Sequence, residues 1–164
     1  MTLDHVRSWL PPKRVLIDSM IIDRIAEVAG LGERIQCAVA DGALMIVETH
    51  ILRDQLSKIR NPAQRTLLLG VYDALPKVTV PTSGIVLDVS RLGGAEFVDE
   101  RNDLEGLATN KGRGGMQDAL LALTSSSKAD ILVTEDGDLR KKAEAKRLQV
   151  WTFADFRRFV EERA

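Results

Sequence analysis

Asp118 and Asp136 stand on either side of the short apolar run Ala129-Asp130-Ile131-Leu132-Val133-Thr134, and Asp18 closes another, Lys13-Arg14-Val15-Leu16-Ile17. Carboxylates gathered at the exits of buried strands concentrate negative charge, and such charge calls for a cation. Hard divalent ions such as Mg²⁺ or Mn²⁺ prefer oxygen ligands, keep several waters and need only a few carboxylates. One such ion makes a nucleophile of bound water, and a pair also stabilises the leaving oxygen in a displacement at phosphorus. Without a cation the acids repel one another and some of their pKa values rise. Each residue also has a plainer reading. Asp118 is placed like the opening acid of a helix, which the macrodipole favours, and Asp138 like the N-cap of the basic helix that follows. Asp18, ending an apolar strand with no adjacent partner, is the hardest to assign a purely structural job.

Those positions matter only if a sheet brings them together. Lys13 to Asp18 reads as a first strand, an apolar run with the Asp18 carboxylate at its carboxyl end. Ser19 is the expected cap of a helix through Ile21, Ile22, Ile25 and Val28, which Gly30 and Gly32 would end. A second helical pattern covers Gly32 to Ala40. Gly42 to Val47 reads as the next strand, with Glu48-Thr49-His50 at its exit and Thr49 capping the helix ILRDQLSKI. Asn61-Pro62 ends that helix, and Ala63 to Leu75 forms another. Lys77 to Pro81 and Gly84 to Val89 are strand candidates around a turn at Pro81-Thr82-Ser83-Gly84. Arg91 to Gly115 has loop composition with a short helix near Val98 to Leu107. The helix opened by Asp118, the strand to Thr134, a basic helix from Leu139 to Arg147, a strand Gln149-Val150-Trp151 and a helix from Ala154 to Glu162 complete the chain. Thr152 and Asp155 have capping-box spacing before that last helix. Strands alternating with helices predict an α/β fold, a three-layer α/β/α sandwich around a mainly parallel sheet. In such a sheet the strand carboxyl ends face the ligand crevice.

The segments DSM, ETHILRDQL, QDALLALTSSS and above all LVTEDGDL together resemble the four acidic motifs of the PIN-domain nucleases, a family of Mg²⁺- or Mn²⁺-dependent ribonucleases that includes toxins of toxin and antitoxin pairs. The resemblance runs from about Arg14 to Phe159 and is most specific where DALLAL is followed by LVTEDGDL. It implies one PIN-like domain over residues 1–164 with 1–12 as a lead-in, and hydrolysis of RNA phosphodiester bonds. Carried over, the first acidic position is Asp18, the third Asp118 and the fourth Asp136. The second falls on Asp54, an aspartate where the family has glutamate, with Glu48 as the alternative. On this reading Asp18, Asp118 and Asp136 hold metal, Asp54 holds it or orients its water, and Asp138 supports them from behind. The family also implies RNA as substrate, an antitoxin protein as a possible partner, and homodimerisation.

Weaker candidates surround these. Thr134 and Ser19 suit a bond to a metal ligand or substrate phosphate, or a helix cap. Lys111 and Arg113, in a glycine-rich stretch before Asp118, suit RNA phosphates, although they lack the GxxxxGK[ST] pattern of a nucleotide loop. His50 reads as an acid or base, or as a structural first-turn residue. Trp9 and Trp151 read as base-stacking platforms, or for Trp151 as core.

Composition bounds the rest. A chain of 164 residues with 45% apolar, 29% charged and 4% aromatic residues buries an aliphatic core and is not a disordered tract. One cysteine, Cys37, and two histidines exclude an internal disulfide and a usual structural zinc site. No window approaches the roughly 20 apolar residues of a membrane span, and the first residues lack a secretory pattern, so a cytoplasmic protein with no membrane partner is expected. Net charge is −1, yet Arg140, Lys141, Lys142, Lys146, Arg147, Arg157 and Arg158 crowd the last quarter. They form a basic rim for a polyanion or solvated helix faces. Two rivals remain: a catalytically weak PIN-like module that binds RNA or protein, and another aspartate-rich phosphotransfer or receiver domain. A receiver needs a lysine after a later strand, and a dehalogenase-type phosphatase needs DxD where this chain has Asp18-Ser19-Met20.

Overall fold

The computed structural model describes residues 11–83, 95–96 and 113–163, with side chains for 11–83 and 115–163. In chain order the elements are β1 (Lys13–Ile17), α1 (Ser19–Glu27), α2 (Leu31–Ala40), β2 (Leu44–Glu48), α3 (His50–Ser57), α4 (Pro62–Ala74), β3 (Lys77–Thr79), β4 (Thr82–Ser83), β5 (Ala95–Glu96), α5 (Arg113–Lys128), β6 (Ile131–Val133), α6 (Gly137–Ala145), β7 (Gln149–Trp151) and α7 (Phe153–Glu161). Five strands pair in the order β3-β2-β1-β6-β7, and every pairing is parallel.

Alternation along β1 divides the core. Val15 and Ile17 point to one face, where they pack with Ile21 and Ile25 of α1, Ile35 of α2, Leu52 and Leu56 of α3, Leu68 and Tyr72 of α4, and Phe156 of α7. Leu16 and Leu132 point to the other face and meet Leu120 and Leu121 of α5 and Leu139 and Ala143 of α6. Helices therefore cover both sides, which makes the three-layer α/β/α arrangement that the strand and helix alternation predicts. No helix among the described residues is long and apolar enough to cross a membrane.

The strand order has a functional consequence. The chain builds outward from β1 through β2 to β3, then returns to the other side of β1 with β6 and β7. The order reverses between β1 and β6, and in open parallel sheets a crevice opens at the carboxyl ends of the strands at such a switch point. Asp18 follows β1 there, and Thr134 to Asp136 follow β6.

Local structure departs from the sequence reading at several points. Asp18, not Ser19, caps α1, because the Asp18 N–H still donates to Val133 O at 3.1 Å and so prolongs the sheet by one residue. Gly32 lies inside α2, while Gly30, at φ 73°, makes the left-handed turn between α1 and α2. Thr49 occupies the cap position of α3 without a side-chain cap bond. Asn61 does not merely end α3; its Oδ1 accepts the Ala63 and Gln64 N–H groups and starts α4 with Pro62 in the first turn. Thr82-Ser83, expected in a turn, pairs instead with Ala95-Glu96 in a small parallel ladder. That ladder is anchored on α5, where Thr124 Oγ1 accepts the Ser83 N–H at 2.9 Å and the Ser83 and Ser127 hydroxyls meet at 2.6 Å. α5 begins at Arg113, so Asp118 lies in its second turn and not at its start. Asp136, not Asp138, caps α6. The capping box of Thr152 and Asp155 is formed in full at α7. The strand expected at Gly84 to Val89, the short helix near Val98 to Leu107, Trp9 and Lys111 lie outside the described residues, and Arg113 is described by its backbone alone.

Candidate functional site

Asp18 leaves the sheet at the end of β1 and is only 6% exposed. Its Oδ1 accepts the Ser19 N–H at 2.6 Å and the Ser19 hydroxyl at 3.3 Å, while Oδ2 accepts the Thr134 hydroxyl at 3.0 Å. Thr134 is itself fully buried and continues β6, its N–H donating to Trp151 O at 3.1 Å. A threonine hydroxyl has one proton to give and also accepts. Thr134 gives its proton to Asp18 and accepts the Asp136 N–H at 3.0 Å. Asp136 in turn caps α6 through Oδ1, which takes the N–H groups of Asp138 at 2.7 Å and Leu139 at 3.0 Å.

Asp118 arrives from the opposite layer. α5 carries it over the second core, and α6 packs against α5 so that Lys142 Nζ lies 3.8 Å from Asp118 Oδ2. Asp18 and Asp118 feel the charges of neighbouring aspartates. Burial is the main force pushing the Asp18 carboxyl above its ordinary value; the Thr134 and Ser19 hydrogen bonds oppose it and the charge of Asp136 adds to it. Burial likewise raises Asp118, Lys142 opposes, and the charges of Asp136, Asp18 and Asp138 add to the rise. The repulsion expected of clustered acids is present at Asp18 and Asp118.

Other candidates fall elsewhere. Ser19 donates twice to Asp18 and so orients that carboxylate. Glu48, at the end of β2, accepts the Thr79 hydroxyl through Oε1 at 2.7 Å, and its Oε2 is buried without a hydrogen-bond partner. Thr49 is 1% exposed with its hydroxyl likewise unpartnered. Asp54 is half-buried on α3. Neither Asp54 nor Glu48 is among the charges that bear most on Asp18 and Asp118. His50 is the first residue of α3. Trp151 is half-buried with its ring centroid 5.0 Å from that of Phe159. Together they line a groove of about 400 Å³ with Lys13, Arg158 and Arg163, and none of the clustered carboxylates lies in it.

Lys142 is the residue that sequence reasoning missed. It looks like one more member of a basic run, yet it is only 8% exposed. The available signal was its spacing: Leu139, Lys142 and Ala143 fall on one inward stripe of α6.

The donor set is all oxygen, which suits a hard divalent cation. Among the described residues, however, no group of three or more His, Cys, Asp or Glu side chains is placed to hold a metal ion. The arrangement therefore fits an ion that keeps most of its water and touches one or two carboxylates directly, as Mg²⁺ commonly does, and does not fit a closed protein cage. No protein-family model matches the chain, and no curated protein matches it.

Proposed function

We propose that the chain is a divalent-metal-dependent endoribonuclease that hydrolyses RNA phosphodiester bonds at the carboxyl end of its parallel sheet. The observation that best supports this is that Asp18 and Asp118, from two separate elements beside a sheet switch point, are both raised by burial and by the charge of Asp136. The motif resemblance to PIN-domain nucleases supplies the substrate class. One or two of Asp18, Asp118 and Asp136 would touch Mg²⁺ or Mn²⁺ directly, and the others, with Asp54 from α3, would hold it through its retained water. When bound, the ion supplies Lewis acidity for activating water and offsetting charge at phosphorus. The chain's own groups do the positioning. Ser19 and Thr134 fix both oxygens of Asp18, and the Asp136 N–H fixes the Thr134 hydroxyl.

The test is cleavage of single-stranded and structured RNA by the purified chain. Activity with Mg²⁺ or Mn²⁺, its loss in EDTA, and its loss in Asp118→Asn with folding retained are the expected results. Undiminished cleavage by that variant would remove the proposed site. A toxin role, with an antitoxin as partner and a homodimer as the working form, is the narrower proposal. It requires growth arrest on expression that a small protein partner relieves. A reducing cytoplasm suits a chain whose Cys37 is free and exposed.

A second reading has its own observations. The ion pair of Lys142 with Asp118, and the absence of a three-carboxylate metal group among the described residues, favour a PIN-like module that binds RNA or protein without turnover. Titration with Mn²⁺ separates the two, because a chain that binds none at millimolar concentration lacks the cation the nuclease mechanism needs.

A further inference from the structure

A lysine that is 8% exposed is rarely tolerated without a compensating charge. Lys142 finds it in Asp118, at a separation of 3.8 Å that is too long for a direct hydrogen bond. The pair is thus held by charge, and the ammonium leaves the Asp118 oxygen lone pairs open to another donor or cation. Lys142 is set between Leu139 and Ala143, both buried in the second core, so its place on α6 is fixed by packing. The carboxylates that act on Asp118 are Asp136, Asp18 and Asp138, and Lys142 is the cation that acts against them.

We infer that Lys142 is the resident counter-ion of this acidic site, a positioning residue that holds Asp118 while no divalent cation is bound and limits how tightly such a cation is then held. The inference rests on the cation-dependent reading proposed above. A doubly charged ion brought to Asp118 meets the ammonium at short range, and like charges in a partly desolvated site repel far more strongly than in water. The ammonium must swing aside or tolerate that repulsion, and either lowers cation affinity. A lysine that merely braces α6 against α5 would instead affect folding and leave cation affinity untouched.

The experiment uses the full chain as wild type, Lys142→Met and Lys142→Arg, with Mn²⁺ affinity read by titration calorimetry and melting temperature read in EDTA and in excess Mn²⁺. Lys142→Met should melt lower in EDTA, bind Mn²⁺ on the order of tenfold more tightly, and gain more than the wild type in melting temperature when Mn²⁺ is added. Lys142→Arg, which keeps the charge, should stay near wild type in affinity. If Lys142→Met does not fold, Lys142→Gln is read the same way. Wild-type binding of Mn²⁺ with equal or weaker binding by the neutral variant overturns the counter-ion role and leaves the cation-dependent reading intact. Absence of Mn²⁺ binding in wild type and neutral variant alike overturns both.

Discussion

Thr134 Oγ1 donates to Asp18 Oδ2 across 3.0 Å, joining residues 116 apart in sequence at the carboxyl ends of β6 and β1. Because the same hydroxyl accepts the Asp136 N–H, one buried side chain links a carboxylate of the first strand to the loop carrying another. Thr134→Val removes both bonds at a site with no water access and leaves the Asp18 oxygen unpaired. It should cost about 1–3 kcal/mol in urea unfolding, and Thr134→Ser should recover most of that. Equal stability of the valine variant would show that the link carries no weight.

The two raised carboxyls set a pH dependence with a definite sign. Asp18 and Asp118 bind their protons more tightly folded than unfolded, so their contribution to stability is fully present below the ordinary carboxylate range and is lost as pH rises through the raised values. Asp130, held down by its hydrogen bond to Arg14, works in the opposite sense: its contribution is present above the ordinary range and is lost as pH falls through its lowered value. Asp18→Asn keeps a good N-cap residue and deletes the buried charge. In the cation-free protein its stability relative to wild type should therefore climb as pH rises above the ordinary carboxylate range of about 4. Urea midpoints across that rise give the comparison, and a relative decline would contradict the burial of Asp18 as a charged group.

Asp136 caps α6, and the proposed function gives it a second, separable job. Asn at this position can accept the Asp138 and Leu139 N–H groups as the aspartate does, whereas Ala cannot. Asp136→Asn should unfold near wild type and Asp136→Ala about 1 kcal/mol below it, while both lose RNA cleavage. Cleavage retained by the asparagine variant would reduce Asp136 to a helix cap.

What could be read from the chain depended on how local each feature was. The apolar core of β1 with Asp18 behind it, the run Ile131-Leu132-Val133, and the spacing of Thr152 and Asp155 are signals carried within a few residues, and the structure contains each of them. Which residue caps α1 was not local, since it turns on the Asp18 N–H reaching Val133 across the sheet. Asp118 reads as a helix opener because Gly114-Gly115 has low helix propensity, yet α5 runs from Arg113 through both glycines. The burial of Lys142 shows only in its spacing from Leu139 and Ala143, because the basic run around it has the composition of a solvated face. The bonds of Thr134 exist only once β1 and β6 are side by side.

The faces of the sheet bear on the proposed second acidic position. Glu48 follows Ile46 on β2 by one alternation, and Ile46 lies in the first core, so Glu48 points toward that layer and meets Thr79. Asp18 follows Leu16, which lies in the second core, and so heads toward α5 and Asp118. On α3, Ile51 belongs to the second core, and Asp54 lies one turn further along the same side. This alternation favours Asp54 over Glu48 as the proposed second acidic position. Asp54→Asn should weaken Mn²⁺ binding on the order of tenfold, the effect typical of groups that hold or orient a metal's ligands, and Glu48→Gln should change it by less than about twofold. The reverse order in calorimetry would transfer the second acidic position to the end of β2 and require the carboxyl of Glu48 to leave Thr79.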